Sequence, residues 1–212
     1  MSWYEIYLED IKKKKTISDY IDDKIRFKAP LIDLIKKYAI DYKVIEAGTG
    51  TGVISTYIAS IGYKVTGIDI DQQMLDLAKN IAVSYGSSHK PKFEKKSIFN
   101  LDYKDKFDVS FSNGVLEHFN DNEIIDTLSQ QMDIAKTVIF GIPTRYFNKK
   151  EAMYGNERYM KFSYWRYLIK RAGGTIIEEK SMHYMDFKHR LLNLKKLFKP
   201  FPYRIFVIRK EK

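Results

Sequence analysis

The sequence predicts an α/β protein with a doubly wound, mostly parallel seven-stranded sheet and helices on both faces. Three observations favour this fold. A β-like run, Lys43–Ala47, ends in a glycine-rich turn that leads directly into a helical pattern. A second β-like run, 63–69, ends in an acid, Asp69, about 20 residues past those glycines. Strand and helix patterns then alternate along the rest of the chain.

Composition excludes several classes of function. The chain has 212 residues and no cysteine, so disulfides and thiolate chemistry are absent and we expect a cytoplasmic location. No apolar run approaches the roughly 20 residues that span a bilayer, and the first residues lack a signal-peptide pattern. Four scattered histidines offer no metal-ligand spacing, so we expect no metal.

The N-terminal region is predicted to be helical. Apolar and aromatic residues recur at helical spacing up to about residue 23, with an exposed turn at 12–15. A second helix is predicted to begin near Ala29 and Pro30, because proline is tolerated in a first helical turn.

The glycine-rich turn reads Glu-Ala-Gly-Thr-Gly-Thr-Gly from Glu46 to Gly52. A dinucleotide site would need its third glycine at the position of Val53, one residue later, and a phosphate loop would need a lysine that is missing here. A carboxylate at Glu46 would repel a pyrophosphate but suits a cation. S-adenosylmethionine (SAM) carries an ammonium and a sulfonium, and the turn closely resembles the first motif of class I SAM-dependent methyltransferases.

The second and third predicted strands supply further candidate residues. Asp69 stands where a carboxylate accepts hydrogen bonds from both ribose hydroxyls, a feature shared with dinucleotide enzymes. Asp71 is predicted to cap the following helix. In the resembled family the residue after the ribose acid packs on the adenine, which implies Ile70. The third strand, 91–98, carries Ser97 and then Ile98 where the family usually has an Asp that binds the adenine amino group.

The fourth predicted strand, 106–113, is followed by Gly-Val-Leu-Glu-His-Phe, 114–119. This run resembles the fourth-strand motif of small-molecule methyltransferases. The Asn/Asp-Pro-Pro-Tyr sequence of DNA and RNA amino-methyltransferases is absent, which argues against base N-methylation. The resemblance places Asn113 and Gly114 near the SAM sulfur. His118 is the candidate general base because histidine side chains ordinarily exchange protons near neutral pH, and Glu117 is considered for the same role.

The last third of the chain completes the predicted sheet. Asn120 or Asp121 is predicted to cap a helix, with Glu123 placed to answer it. Strands follow at 136–143, 175–181 and 203–209, with a helix at 162–172 and a basic helical segment at 186–198. Between residues 188 and 212 there are nine Lys or Arg and one acid, within a net charge of +10 for the chain. A solvated surface is the simpler interpretation, and contact with nucleic acid or an anionic membrane surface is the alternative.

The resemblance covers about 43–181 and implies one methyltransferase domain. We divide it into an N-terminal helical lid (1–40), a SAM-binding core (43–143), a substrate-covering insertion (144–161) and a C-terminal part with the basic tail (162–212). The residues implied to bind the cofactor are Glu46, Gly48, Thr49, Gly50, Gly52, Asp69, Ile70, Ser97, Ile98, Asn113 and Gly114. Candidates for the lid or for substrate contact are Trp3, Tyr4, Tyr7, Arg26, Arg145, Tyr154 and Arg158.

The expected reaction is in-line transfer of the SAM methyl group to an O, N or C acceptor on a small molecule or lipid precursor, which leaves S-adenosylhomocysteine (SAH). Two other interpretations stay open. One is an RNA- or protein-directed methyltransferase that uses the basic tail, and steep salt dependence of substrate binding would favour it. The other is a SAM-binding protein without transfer activity, or another nucleotide-dependent enzyme.

Overall fold

The computed structural model describes residues 2–104, 106–144, 155–182 and 203–211. In these ranges the helices are α1 (Trp3–Lys12), α2 (Ile17–Tyr38), α3 (Val53–Ser60), α4 (Gln72–Ser84), α5 (Asp121–Ile134) and α6 (Phe162–Arg171). The strands are β1 (Lys43–Ala47), β2 (Lys64–Asp69), β3 (Lys92–Lys95), β4 (Phe107–Asn113), β5 (Ala135–Pro143), β6 (Gly174–Met182) and β7 (Tyr203–Lys210). A 3₁₀ turn, Leu116–His118, follows β4.

The strands form one sheet in the order β3-β2-β1-β4-β5-β7-β6. The first five run parallel, and β7 lies antiparallel between β5 and β6. The predicted doubly wound, mostly parallel sheet is therefore confirmed. The strand order reverses between β1 and β4, and ligands of such folds bind at the carboxyl ends of the strands beside this switch point.

Both faces of the sheet are covered by helices because alternate strand residues point to opposite sides. Val44 and Ile139 pack in the hydrophobic cluster that contains α2 and α3. Their neighbours Ile45 and Phe140 lie on the other face, in the clusters that contain α5 and α6. Strands buried on both faces read as continuous apolar runs, as the central strands do here.

Helix α2 corrects the prediction for the N-terminal region. The second helix begins at Ile17, and Pro30 lies inside it instead of in its first turn. Thr16 provides the N-cap by accepting a hydrogen bond from Asp19 N at 3.0 Å. Pro30 loses the hydrogen bond to the carbonyl of Arg26, four residues earlier, and this loss is tolerated because the helix buries residues on both sides of the proline. The predicted turn at 12–15 does separate α1 from α2.

Two predicted segments fall largely outside the described residues. The insertion (144–161) is described only at Thr144 and from Gly155 onward, and the basic helical segment 186–198 is not described. Among the helices of the described ranges, none combines the length and the apolar character needed to cross a membrane.

Candidate functional site

The glycine loop curls over the carboxyl end of β2. Gly48 N and Thr49 N both donate to Ile68 O, at 3.0 and 2.8 Å. Gly52 ends the loop as the N-cap of α3 with a left-handed φ of 66°. A Cβ at this position would lie 2.6 Å from Phe93 Cζ, so the loop can only pack this closely because the residue is glycine.

Glu46 stands at the end of β1, beneath the loop, and is 4% exposed. Its Oε2 accepts hydrogen bonds from Ser55 Oγ at 2.6 Å, Thr49 Oγ1 at 2.8 Å and Ser55 N at 3.2 Å. Burial raises the pKa of this carboxyl to about 7, against the opposing effect of the bonds from Ser55 and Thr49. Oε1 has no hydrogen bond to any described residue, so one oxygen fixes the loop and the other is left for a ligand.

Asp69 ends β2 and faces the loop from the other side. Its Oδ2 accepts from Gly50 N at 2.9 Å, and its Oδ1 accepts from Asp71 N at 3.0 Å. The carboxylate is thereby fixed in orientation while still able to accept further hydrogen bonds. Ile70 follows with 70% of its surface exposed, which gives a large apolar side chain beside the acid.

The carboxyl end of β4 carries a buried amide oxygen, Asn113 Oδ1, that has no hydrogen-bond partner among the described residues. Gly141 of β5 pairs with Asn113, and a Cβ on this glycine would lie 2.6 Å from Oδ1. Gly114 follows with a left-handed φ of 70°. A buried polar atom without a partner costs free energy, so this oxygen indicates a place for a hydrogen-bond donor.

The 3₁₀ turn after β4 buries an acid, Glu117, which is 2% exposed. Its Oε2 is buried without a hydrogen-bond partner in the described part of the chain. Burial raises the pKa of Glu117 to about 8, and Lys28 of α2 is the nearby cation that partly opposes this shift. Burial also lowers the pKa of the Lys28 ammonium to about 8, with repulsion from Lys24 adding to the effect. Lys28 is half-buried and feels both Glu117 and Glu46.

The same turn is held by the described end of the predicted insertion, residues 155–161. Arg158 N donates to Glu117 O at 2.9 Å, and its guanidinium donates to Phe119 O and to Asp121 Oδ1, each at 2.6 Å. His118 Nδ1 lies 2.5 Å from Asn156 Oδ1. The Arg158 side chain, predicted to contact substrate, is therefore engaged in fixing the turn.

Helix α1 lies over the glycine loop. A Cβ on Gly50 would come 4.0 Å from Tyr7 Cε2. Burial raises the pKa of Tyr7 to about 12, and the charges of Glu117, Asp69 and Glu46 add to this shift. Trp3 packs edge-on against His118 with the ring centroids 5.3 Å apart. Helix α1, the first part of the predicted lid (1–40), therefore lies against the glycine loop, and the role of 1–40 as a lid stays a prediction.

The structure brings most of the sequence-predicted cofactor residues to one edge of the sheet. The glycine loop with Glu46 and Thr49, the pair Asp69–Ile70 and the pair Asn113–Gly114 surround the ends of β1, β2 and β4. Ser97 instead turns its Oγ to Phe99 N at 3.2 Å, and Ile98 is 8% exposed in the core. Tyr4 lies half-buried on α1. Arg145 and Tyr154 lie outside the described residues.

Two functional side chains were missed in the sequence. Ser55 donates two hydrogen bonds to Glu46. No sequence pattern marked this residue apart from its position two residues into the helix. Lys28 had a signal, because it continues the buried stripe at three and seven residues before Leu31 and Ile35. The predicted helix start at Ala29 placed Lys28 outside that stripe.

This fold and site define a nucleotide-binding α/β protein of the doubly wound class. Its glycine loop lies between two carboxylates, Glu46 and Asp69, and carries no lysine, which suits a positively charged nucleoside better than a polyphosphate. In the described residues, no group of three or more His, Asp or Glu side chains is arranged to hold a metal ion.

Comparison with known proteins identifies the family. Residues 40–189 match the family model described as a methyltransferase domain, which is well over half of the chain. The chain therefore belongs to the methyltransferase domain family, whose enzymes transfer methyl groups.

Two curated relatives each match part of this chain. A ubiquinone biosynthesis O-methyltransferase of Colwellia psychrerythraea is 36% identical over 84 residues, which are 38% of this chain and 33% of that protein. The protein-lysine N-methyltransferase EFM4 of Saccharomyces cerevisiae is 32% identical over 92 residues, which are 41% of this chain and 40% of that protein. The matched region thus spans well under half of each relative.

Solved structures share the fold at low sequence identity. The CcbJ methyltransferase of Streptomyces caelestis superposes with a TM-score of 0.69 at 16% identity, covering 89% of this chain and 90% of that one. Magnesium protoporphyrin IX methyltransferase of Synechocystis PCC 6803, crystallised with bound SAH, gives a TM-score of 0.67 at 16% identity, covering 89% and 84%. At these identities the likeness concerns the fold alone.

Proposed function

We propose that this protein is a SAM-dependent methyltransferase that moves a methyl group from SAM to an O, N or C acceptor on a small molecule or lipid precursor. The observation that carries the proposal is the Asp69 carboxylate, held by Gly50 N and Asp71 N at the end of β2. In this position it can accept hydrogen bonds from the two ribose hydroxyls of an adenosine. The family match supports the proposal independently.

The residues present fit this cofactor. The exposed Ile70 side chain offers an apolar surface for the adenine. The free Oε1 of Glu46 and the unpartnered Oδ1 of Asn113 are acceptors for the cationic methionine end of SAM, and Glu117 adds a second buried acid. An acidic, partly buried site favours a ligand with positive charge on its amino group and sulfur.

The cofactor supplies an activated methyl group, so the work of the chain is positioning and exclusion of water. Glu46, Ser55 and Thr49 keep the loop in one conformation through three hydrogen bonds to a single oxygen. Helix α1 covers the loop through Tyr7, whose ring lies above Gly50. Contacts with Trp3 and Asn156 hold the His118 ring in place at the end of the 3₁₀ turn. We expect the methyl acceptor to bind beside this turn.

A protein- or RNA-directed reaction is the second candidate. The lysine methyltransferase relative and the positive charge favour it. Three described cations of the tail argue the other way, because each already contacts a side chain of the same chain. Lys210 binds Asp133 at 2.5 Å, Arg209 Nε donates to Thr137 Oγ1 at 3.2 Å, and Arg204 stacks 4.5 Å from the Phe162 ring centroid. We therefore rank the small-molecule acceptor first.

Calorimetry with SAM on a matched pair of variants tests the assignment. Asp69→Asn should weaken SAM binding by about 2–3 kcal/mol, because charged acceptors contribute roughly 1.5–3 kcal/mol per hydrogen bond. This loss corresponds to about 30- to 150-fold in Kd. Asp71→Asn removes the same charge but keeps the N-cap of α4, to Gln73 N and Met74 N, so its Kd should stay near wild type. Equal affinities for both variants would contradict the ribose contact.

The acceptor class can be separated by salt. Radiolabelled SAM incubated with a panel of small phenols and amines, a lysine-containing peptide and a short RNA at about 50 and about 200 mM salt should label a small molecule with little salt dependence. Label on the peptide or RNA that disappears at the higher salt would support the second candidate, because contacts to many charges weaken steeply with ionic strength.

A further inference from the structure

We infer that Glu117 is the charge partner of the donor's sulfonium, ionised while SAM is bound and protonated while the neutral product SAH is bound. This inference rests on the proposed function and adds a residue that distinguishes the two forms of the cofactor. SAM and SAH differ only in the sulfonium methyl, so any group that senses the positive sulfur must respond to one and not to the other.

The position of Glu117 supports this role. The carboxyl is 2% exposed, and its Oε2 makes no hydrogen bond within the described ranges. Its Oε1 lies 3.6 Å from where a Cβ on Gly114 would stand, directly after the carboxyl end of β4. The resemblance to SAM-dependent methyltransferases implies that the donor's sulfur lies beside Asn113 and Gly114. A buried carboxyl next to that point, with one oxygen lacking a hydrogen-bond partner in the described ranges, is suited to a charge that appears with the ligand.

The turn is also rigid enough to hold the carboxyl there. Glu117 O accepts from Arg158 N at 2.9 Å, and the Arg158 guanidinium fixes the following residue through Phe119 O at 2.6 Å. A charge stabilises a neighbouring charge best when its position is set before the ligand arrives.

Among the described residues, Lys28, Glu157, Tyr7 and Tyr159 interact electrostatically with Glu117. Lys28 of α2 favours the charged form of Glu117, and Glu157 of the segment above it opposes that form. Tyr7 of α1 and Tyr159 both have their pKa raised, first by burial and also by the charge of Glu117. Burial outweighs the help from Lys28 and raises the pKa of Glu117 to about 8, so the ligand-free protein holds the carboxyl protonated at neutral pH.

Bound SAM should therefore displace a proton from Glu117 to the solvent. The sulfonium favours the carboxylate, and the proton leaves as the charges pair. On transfer, the acceptor's O–H or N–H nucleophile forms the bond to the methyl carbon, and the carbon–sulfur bond breaks with its electron pair kept by sulfur. The sulfur is then neutral, and the acceptor's proton goes to Glu117, which is again protonated in the SAH complex.

Calorimetry in buffers of different ionisation enthalpy measures the protons exchanged on binding, with SAM and SAH as probes. At pH 6.5 the wild-type protein should release about one proton more with SAM than with SAH, because the Glu117 carboxyl starts almost fully protonated. Lys28, with its pKa near 8, stays charged throughout at this pH. SAM and SAH carry the same ammonium and carboxylate, so any proton exchange at Glu46 is the same for both ligands and cancels in the difference. The difference should shrink as the starting pH rises above 8.

Variants assign the proton to its residue. Glu117→Gln keeps the shape of the side chain, and it should abolish the SAM-minus-SAH proton difference and narrow the preference for SAM over SAH by about tenfold. Glu157→Gln removes a neighbouring acid of the same charge and should leave the difference intact. If Glu117→Gln fails to fold, the pH dependence of the SAM-minus-SAH proton difference in the wild-type protein still tests the inference.

The outcomes separate the two proposals. SAM binding with equal proton release for SAM and SAH in the wild-type protein would overturn the role of Glu117 and leave the proposed function standing. A protein that binds neither SAM nor SAH would remove both. If Glu117→Gln keeps the SAM-minus-SAH proton difference, another group pairs with the sulfonium, and the inference is wrong.

Discussion

Two glycines of the loop offer a direct test of how the site is packed. Gly52 and Gly50 both have left-handed backbones, with φ of 66° and 53°. An alanine at either position costs about 1 kcal/mol for that conformation alone. At Gly52 the new methyl would also lie 2.6 Å from Phe93 Cζ and 2.8 Å from Ala78 Cβ, whereas at Gly50 the nearest atom is Met74 Cε at 3.9 Å.

Overpacking of this kind adds roughly 1–3 kcal/mol. We expect Gly52→Ala to lower the free energy of unfolding by about 3 kcal/mol and Gly50→Ala by about 1 kcal/mol. Urea unfolding followed by circular dichroism measures both, with the midpoint falling in proportion. Gly50→Ala should still fold, and its methyl between the loop and Tyr7 should weaken SAM binding. Equal destabilisation by the two substitutions would refute the packing described for the loop.

Three further predictions concern stability. Asp108 is 2% exposed and accepts from Lys136 Nζ at 2.9 Å. Burial raises its pKa, but Lys136 and the backbone N–H groups of Lys43 and Asp41 together hold the pKa below its ordinary value. Its contribution is present at neutral pH and lost as pH falls through the folded pKa, so Asp108→Asn should cost about 3 kcal/mol in urea unfolding at pH 7 and progressively less as pH falls below the ordinary value of 3.8. Glu46 has the opposite sign, since burial raises its folded pKa to about 7 and the charged form is disfavoured. The contribution of Glu46 to the free energy of unfolding is present below pH 4.5 and is lost as pH rises through 7. In thermal melts, the stability of Glu46→Gln relative to wild type should therefore increase by on the order of 2 kcal/mol between pH 5 and pH 8. Pro30→Ala should raise stability by roughly 1–3 kcal/mol because it restores the hydrogen bond to Arg26 O; an unchanged Tm would mean that α2 is already distorted there.

Local patterns predicted the parts of the fold that depend on local rules. Alternating apolar runs and turn residues located the strands, and the capping box of Asn120 and Glu123 is present as expected. Helix α2 shows where such rules fail. Pro30 is a common start signal, but the apolar residues before and after it share one buried face, and that packing outweighs the lost hydrogen bond.

The site was predictable where the backbone itself forms it. Glycine-rich turns and acids at strand ends can be recognised from the local sequence. Glu46, Gly52 and Asp69 could therefore be located before the structure was known. Glu117 and Lys28 could not be paired, because they are 89 positions apart and meet only when α2 packs against the end of β4. Burial of an acid in a 3₁₀ turn leaves no periodic signal.

The most direct test of the central proposal is calorimetry of the wild-type protein with SAM and with NAD under identical conditions. We expect a saturable 1:1 isotherm with SAM and no heat of binding with NAD, since Glu46 and Asp69 favour a cationic nucleoside and the loop lacks a phosphate-binding lysine. A folded sample that binds NAD and leaves SAM unbound would contradict the methyl-donor site.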